Sequence, residues 1–333
     1  MLSLERLNTL LSGRVGYALA GSVLLAYVVL ALVPFRWSLP RRIENGVVFG
    51  DDSTIRFASP GLLRTASAPI WLDSVIRRNA FEIHLRLRPY STIQSRPARI
   101  FTISANNHLR NLSIGQKNGD LEVRLRTVDT SVNGGPPYVI PGVFAVRKWS
   151  DIDLVVSPDS VRLWVDGEIV MSDPLPERAL RDWDHRFPAT LGNELTGRRP
   201  WLGELARATI VVDGNEHDYM RRDALEAPDS YWKGPKFQPL YSASYLTRDA
   251  SRLRDAILNF LGFVPLGFLL AISRGGRTPF LFSVVVCATS SLCVEAAQVF
   301  FDPRDPSVAD WVLNTVGGTL GASLTRLSGR PAS

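Results

Sequence analysis

Seven polar side chains near the ends of uncharged segments in the C-terminal third of the chain have types and spacings that suit ligand binding or proton transfer. They are Asp255, Asn259, Glu295, Gln298, Arg304, Asp310 and Asn314, which together are called the helix-end cluster. Each Asp/Asn pair is four residues apart and the Glu/Gln pair is three apart, so each pair would share one face of a helix. Carboxylates, amides and a guanidinium in one place can bind a polar group or transfer a proton.

The segments that carry these residues are apolar enough to cross a membrane. Four stretches have no charged residue, at 15–35, 256–273, 278–294 and 311–325. Because a helix needs ~20 residues to cross the ~30 Å hydrocarbon layer, these stretches predict transmembrane helices. The first stretch ends in Pro34-Phe35 without a small-residue cleavage site, which favours an anchor over a cleaved signal peptide.

Two interpretations of the helix-end cluster stay open. If the helices alternate in direction, all of its members fall at one membrane face. In the structural interpretation, Asp255 and Asp310 are helix N-caps and the other polar groups connect neighbouring helices. In the functional interpretation, the cluster lines a pocket at the membrane surface and binds a polar headgroup. In both, the polar groups should face one another inside the bundle, because unpaired polar groups are costly at this depth.

The region from about residue 45 to residue 212 has a different pattern, in which apolar and polar residues alternate. The alternation is unbroken at 81–88 and at 121–126, and both segments are typical of half-buried strands. Asp166-Gly167 lies between two further alternating segments, where a type I′ turn would close a hairpin. Many short strands separated by turn residues predict an antiparallel sandwich.

The composition excludes several classes of protein. A chain with 8 Trp, 15 Phe and 8 Tyr has too many aromatic residues for intrinsic disorder. The net charge of +6 comes from scattered basic residues without a run of five, so no nucleic-acid partner is expected. Cys287 and Cys293 lie in an apolar run and form no metal-binding or disulfide pattern. No cofactor and no metal site is predicted.

The second half of the β-region resembles a concanavalin A-like (laminin-G-like) jelly roll. The resemblance rests on Trp149 with the alternating residues after it, on 161–167, on Leu191-Gly-Asn193 and on 201–210. It implies a fold that often binds glycans. No convergent set of aromatic and Asp residues marks a sugar or calcium site, so a structural role is expected for Trp149, Trp164 and Trp201.

The C-terminal part resembles the VanZ-like family. The resemblance rests on the run 255–267, followed by Glu295-x-x-Gln298, Arg304, Asp310, Asn314, Gly317 and Gly321, and it covers roughly residues 250–325 and the first helix with Pro34. It implies a small multi-helix membrane protein of bacteria, in a family named for a member associated with low-level teicoplanin resistance. A link to glycopeptide tolerance follows only from this resemblance, and the large β-region departs from the family.

The expected architecture is a multi-domain membrane protein with a four-helix transmembrane bundle and an all-β concanavalin A-like jelly-roll sandwich inserted between helices 1 and 2. Residues 1–40 are assigned to helix 1, 45–225 to the sandwich, 226–250 to a juxtamembrane connector and 251–328 to helices 2–4. A weak repeat at 255–267 and 310–321 suggests that helices 1 and 2 and helices 3 and 4 form two hairpins. Gly317 and Gly321 predict a close contact between helices.

The loop charges predict the orientation. Arg274, Arg277, Arg326 and Arg330 follow helices 2 and 4, which favours both termini in the cytoplasm of a bacterium and export of the sandwich across the inner membrane.

The main hypothesis is an envelope protein that lies in the lipid bilayer and binds a glycan or a lipid-linked polar group. The first alternative is an intramembrane enzyme acting on a lipid-linked envelope precursor, with Glu295 or Asp310 as general acid or base and Arg304 holding a phosphate. The sequence has no nucleophile elbow, His ligand set or phosphate loop that would support such an enzyme. The second alternative is a structural anchor for the β-domain. The sequence does not predict an oligomeric state.

Overall fold

The protein divides into two compact units. The computed structural model describes residues 11–51, 53–93, 97–238, 250–274 and 279–328. One unit comprises Met1–Pro40 and Pro235–Ser333, and the other comprises Arg41–Gly234. Arg277 and Arg330, on which the orientation partly depends, lie outside the described residues, as do 239–249 of the expected connector.

The first unit is helical. Its described helices are α1 (Gly13–Leu32), α3 (Ala250–Arg274), α4 (Pro279–Gln298) and α5 (Val308–Ser328), while a short α2 (Leu72–Arg78) belongs to the other unit. Three segments, Gly13–Leu32, Leu253–Arg274 and Phe280–Gln298, are long and apolar enough to cross a membrane. Three of the four long helices described thus have the composition of membrane spans, and α5 does not.

Glycines bring α3 and α5 into close contact. A Cβ atom added at Gly317 would overlap the carbonyl oxygen of Phe260, and one added at Gly321 would overlap that of Val264. The expected close contact at these two glycines is confirmed. Both pairs advance in the same direction along the chain, so α3 and α5 run parallel.

The helix pairs expected from the repeat describe only part of the packing. α1 contacts α3 and α4 contacts α5, but the most extensive contact is between α3 and α5, which carry the two copies of the repeat. A buried cluster of Ala20, Phe263, Leu266, Leu270 and Cys287 lies where α1, α3 and α4 meet.

Two short strands close one end of the helical unit. β1 (Arg36–Trp37) follows α1 and pairs antiparallel with β18 (Phe301–Asp302), which lies between α4 and α5. This pairing holds the C-terminal end of α1 beside the α4–α5 connection.

The second unit is an all-β sandwich, as predicted. Its strands are β2 (Arg41–Glu44), β3 (Val47–Phe49), β4 (Ile55–Phe57), β5 (Leu63–Arg64), β6 (Phe81–Pro89), β7 (Ala98–Ser104), β8 (Arg110–Lys117), β9 (Asp120–Leu125), β10 (Tyr138–Ile140), β11 (Ser150–Ser157), β12 (Ser160–Val165), β13 (Glu168–Pro174), β14 (Ala189–Leu191), β15 (Gly203–Val212), β16 (Asn215–Asp218) and β17 (Ser230–Lys233).

Two sheets provide the layers of the sandwich. One has the order β10-β9-β8-β7-β14-β5, and the other has the order β13-β12-β11-β6-β15-β4-β3, with β16 paired to β15. In β6 and β11 every second residue is buried, because one face of their sheet packs in the core and the other faces outward. The alternation in the sequence therefore located these strands correctly.

The hairpin turn at Asp166-Gly167 also forms as predicted. Both residues have positive φ, 51° at Asp166 and 85° at Gly167, as a type I′ turn requires. β12 and β13 flank this turn and pair antiparallel.

The three tryptophans differ in their surroundings. Trp201 is fully buried, and its indole Nε1 donates a hydrogen bond to Gln116 Oε1 at 2.8 Å. Trp149 and Trp164 are only half-buried, so the expected structural role fits Trp201 best.

The start of the expected connector is part of the sandwich unit. β17 pairs with β2, and Tyr231 in β17 is buried. Ser230–Lys233 is thus a strand, because its backbone pairs antiparallel with Arg41–Glu44.

The glycine contact gives a stability test. Gly317→Ala should destabilise the protein by about 1–3 kcal/mol, because its methyl group would force α3 and α5 apart. The matched control is Gly21→Ala in α1, where an added Cβ meets nothing within 4 Å. It should be neutral or stabilising by about 0.5–1 kcal/mol. Thermal unfolding of the detergent-solubilised full chain measures both, and equal effects would contradict the close packing at Gly317.

Candidate functional site

Glu295 lies at the contact between α4 and the start of α5. The residue is 1% exposed, and its Oε2 accepts a hydrogen bond from the backbone N–H of Ser307 at 2.8 Å. Ser307 precedes α5, and its Oγ accepts a hydrogen bond from the N–H of Asp310 at 3.2 Å. Ser307 is therefore the N-cap of α5, which corrects the interpretation that placed Asp310 there.

Asn314 forms a second polar contact between the same helices. It is fully buried, and its Nδ2 donates to the hydroxyl of Tyr27 at 2.7 Å and to Ser291 Oγ at 2.9 Å. Ser291 is four residues before Glu295, so both side chains lie on one face of α4. The five residues Tyr27, Ser291, Glu295, Ser307 and Asn314 are called the Glu295–Asn314 site.

Two oxygen atoms of this site have no hydrogen-bond partner. They are Glu295 Oε1 and Asn314 Oδ1, and both are buried. Leaving a buried acceptor unpaired costs about 1–3 kcal/mol. Glu295 and Asn314 therefore each make hydrogen bonds within the chain through one polar atom, while the remaining oxygen of each side chain has no partner.

Arg304 stabilises the end of α1. Its Nε donates to the carbonyl oxygen of Val33 at 2.9 Å, and its Nη2 donates to the carbonyls of Val33 and Leu30 at 2.6 and 3.1 Å. A guanidinium at a helix C-terminus satisfies the last carbonyl groups and interacts favourably with the helix dipole.

The other members of the helix-end cluster are less closely associated. Gln298 is buried at the end of α4, and Asp310 is half-buried in the first turn of α5. Asp255 is exposed and Asn259 is half-buried. Because α3 begins at Ala250, Asp255 lies inside the helix, so the interpretation of Asp255 as an N-cap is wrong.

The sequence contained signals for two of the residues that were missed. Ser307-x-x-Asp310 is a capping-box pattern, and Ser291-x-x-x-Glu295 has the spacing of one helix face. No sequence signal pointed to Tyr27, which lies in the first uncharged segment.

Aromatic side chains surround β1 and β18 at the same end of the helical unit. Trp37 stacks on Phe300 with ring centroids 5.5 Å apart and meets Phe301 edge-on at 5.4 Å. Phe35 packs edge-on against Phe301 at 6.2 Å. Trp37 and Phe35 stay at least half exposed, as is typical of aromatic residues at a membrane interface.

A separate polar cleft lies on the outward face of the sandwich. It has a volume of about 380 Å³ and is lined by Arg56, Arg88, Tyr90, Arg147 and Glu204. Glu204 in β15 lies between Arg56 in β4 and Arg88 in β6. Its Oε2 is 2.7 Å from Arg88 Nη2, and its Oε1 is 3.4 Å from Arg56 Nε.

The pKa of Glu204 reflects these contacts. Burial by itself would raise it, but hydrogen bonds from Arg88 and Thr54 favour the carboxylate, and the pKa is lowered below its ordinary value. Glu204 is therefore ionised and connects three strands of the sheet.

In the described part of the chain, no three His, Cys, Asp or Glu residues are grouped to hold a metal ion.

The comparison with protein families addresses the C-terminal part. A family model described as VanZ/LLP1 matches residues 216–329. This part of the chain is VanZ-like. The VanZ-like part contains α3, α4 and α5 and every member of the helix-end cluster, so the family resemblance seen in the sequence is confirmed. No curated protein matches the chain.

Solved structures similar to the chain each match about half of its length. They include the binding domain of botulinum neurotoxin serotype D (12% identity, 52% of this chain, 43% of that chain, TM-score 0.36). A second is a Ruminococcus gnavus IT-sialidase CBM40 bound to α2,3-sialyllactose (14% identity, 52% of this chain, 90% of that chain, TM-score 0.34). A third is the pair of domains LG4-5 of the mouse laminin α1 chain (13% identity, 57% of this chain, 48% of that chain, TM-score 0.36). The chain thus spans less than half the length of the toxin domain and of the laminin domains. At these TM-scores the likeness carries no information on a ligand.

The Glu204 contacts predict a pH dependence. The lowered pKa means that this carboxylate stabilises the folded protein above its unfolded pKa of about 4.3, and that the contribution is lost as pH falls through the folded pKa. Glu204→Gln should therefore cost about 1–3 kcal/mol at pH 7.

Thermal unfolding of both proteins between pH 7 and pH 3 measures this difference. It should shrink as the solution becomes acidic. A difference that stays constant over this range would show that the Glu204 charge does not stabilise the fold.

Proposed function

We propose that this VanZ-like protein is a bacterial inner-membrane protein that binds a glycan or lipid-linked envelope molecule through a hydroxyl or amine group at the Glu295–Asn314 site. The observation that carries the proposal is the pair of buried, unpartnered oxygens Glu295 Oε1 and Asn314 Oδ1. A network that served only to hold α4 and α5 together would gain by pairing them, since each unpaired acceptor costs stability.

The chemistry of the two atoms selects the ligand class. Glu295 accepts from Ser307 through its other oxygen, and Asn314 donates through its Nδ2, so the lone pairs of Oε1 and Oδ1 are free to accept N–H or O–H groups. Sugar, glycerol and ammonium groups supply such donors. A phosphate lacks them when fully ionised and would be repelled by a carboxylate, so we expect the hydroxyl or amine part of a headgroup to enter the site.

The surrounding residues support a location at the membrane surface. The exposed aromatic rings of Phe35, Trp37 and Phe300 lie beside the α4–α5 connection, close in sequence to Glu295. Such rings are favourable at the headgroup level and can stack on the apolar face of a sugar.

We extend the proposal to the topology. α5 would complete a four-helix bundle with the three apolar spans, and the sandwich between α1 and α3 would lie outside the cytoplasm with both termini inside. Arg274 at the end of α3, Arg326 in the last turn of α5 and Arg330 further along the sequence support this orientation. The VanZ likeness makes glycopeptide tolerance the phenotype to measure in a deletion strain.

Binding of defined lipids tests the site. The full chain in detergent should retain phosphatidylglycerol, which has hydroxyl donors, at least about tenfold more strongly than phosphatidylcholine, which has none; native mass spectrometry measures both. Glu295→Gln keeps an acceptor for Ser307 and places an amide donor at the free position, so it should reduce phosphatidylglycerol retention about tenfold, equivalent to ~1.4 kcal/mol.

The control is Cys293→Ala, an exposed position on the same helix. It should bind like the wild type. Equal retention of the two lipids, or unchanged binding in Glu295→Gln, would refute the proposed site and favour a purely structural cluster.

Labelling tests the topology. Ile70 is 92% exposed in the sandwich, so Ile70→Cys in a background without Cys287 and Cys293 should react with a membrane-impermeant maleimide in intact spheroplasts. Labelling that requires lysis would place the sandwich in the cytoplasm.

A further inference from the structure

The six-stranded sheet of the sandwich is buried on both faces, although only one of them packs in the apolar core. All residues of β7 and all but the last residue of β8 are buried. The register aligns Thr190, Thr102, Ser113 and Arg124 across four strands, and aligns Arg99, Gly115 and Glu122 across three. Polar residues therefore cover the second face of this sheet.

Positive charge dominates this face. Arg99 and Arg110 are each 4% exposed. Both lie within electrostatic range of Arg124, Arg199 and Glu194, and Arg99 lies within range of Glu122 as well. The six residues together with Ser113 are called the arginine face.

The two glutamates already have other partners. Glu122 Oε1 accepts from Arg124 Nε at 2.8 Å, and it is 3.8 Å from Arg99 Nη1, which is too long for a hydrogen bond. Glu194 accepts from Thr196 Oγ1 at 2.9 Å, and it also accepts from the side-chain amide of Asn107 at 2.7 Å when that amide is oriented with its nitrogen toward the carboxylate.

Several donors of the arginine face consequently have no partner. They are Arg99 Nη1, Arg110 Nε, Arg110 Nη1 and Ser113 Oγ, and all four atoms are buried. The remaining terminal nitrogen of Arg110 donates to the carbonyl of Asn107. A Cβ added at Gly115 would lie 2.5 Å from the carbonyl oxygen of Ala98 and 3.5 Å from Arg99 Nη1, so the backbone beside Arg99 is too close to accept a side chain at this position.

Burial also acts on the ionisation of the two arginines. Desolvation lowers the pKa of Arg99 to about 10 and that of Arg110 well below its ordinary value, and neighbouring arginines add to both effects. Buried cations that outnumber the nearby carboxylates are unfavourable, because their charge is only partly compensated. A water molecule could accept one of these hydrogen bonds, but it would not compensate the charge.

We propose that the arginine face binds an anionic oxygen group, the carboxylate of an acidic sugar or a phosphate or sulfate. Arg99 and Arg110 donate to the anion from two neighbouring strands, and Ser113 adds its hydroxyl. Guanidinium groups suit carboxylate and phosphate oxygens because their N–H donors are planar and fixed. The partly exposed Arg124 and Arg199 form the edge of the site toward solvent.

This site lies in the sandwich, and its ligand is an anion. It is thus independent of the Glu295–Asn314 site, which accepts hydrogen bonds from hydroxyl or amine groups. Either proposal can fail without the other.

Thermal unfolding of the full chain in detergent and chloride buffer tests the inference. Glucuronate, phosphate and sulfate are added separately, with glucose as the neutral control. At a concentration about 100-fold above its Kd, a bound anion should raise the Tm of the sandwich by about 5 °C or more. A shift with glucuronate alone indicates an acidic sugar, and a shift with phosphate or sulfate indicates a phosphorylated or sulfated ligand. No shift with any anion would overturn the proposal.

Substitutions distinguish a binding site from a structural network. Arg110→Met should abolish the anion-dependent shift and leave the Tm in chloride unchanged or higher, because a buried and only partly compensated charge is removed. A purely structural arginine would instead give a lower Tm in chloride and no anion effect, which would contradict the proposal. The matched control is Arg147→Met in the separate polar cleft, which should keep the full anion shift.

A milder variant keeps the test decisive if Arg110→Met does not fold. Ser113→Ala removes one hydroxyl and should weaken anion affinity about threefold to tenfold. Unchanged affinity in Ser113→Ala, or an anion shift lost in Arg147→Met, would refute the assignment to the arginine face.

Discussion

A polar atom buried in a protein loses its hydrogen bonds to water and must find new partners inside the chain. Both units of this protein depend on how that requirement is met. In the helical unit, α4 and α5 meet through a carboxyl group and an amide, and each is satisfied on one side only. In the sandwich, the same requirement explains why Glu204 is held between two arginines. The arginine face does not meet it, because several of its buried donors have no acceptor.

Close packing of helices makes the polar contacts of the helical unit possible. Gly317 and Gly321 let α5 approach the backbone of α3, and this contact sets the position of the first turns of α5. Asn314 lies one turn before Gly317 and is thereby brought against Ser291 and Tyr27. The glycines and the polar residues are thus parts of one arrangement, in which backbone proximity determines which side chains can be buried.

The two arginine groups of the sandwich show how the same side chain serves different purposes. Arg56 and Arg88 share one carboxylate and keep about a third or more of their side-chain surface exposed, so water compensates what Glu204 does not. Arg99 and Arg110 are buried, and their neighbouring carboxylates are engaged elsewhere. The difference in solvent access, rather than in residue type, makes the second group a candidate binding site.

The sequence by itself determined the local elements. The length of the uncharged stretches indicated the helices, the alternation of apolar and polar residues indicated β6 and β11, and Asp166-Gly167 indicated a turn. Each of these signals depends on residues that are near one another in the chain. The spacing of polar residues also selected Glu295 and Asn314. Only the tertiary structure decided that Ser307 caps α5, that Tyr27 joins Asn314, and that Arg304 binds the end of α1. It also decided which arginines of the sandwich are buried without partners. These contacts join residues far apart in the sequence, and their existence depends on how closely separate helices and strands approach, which no local pattern specifies.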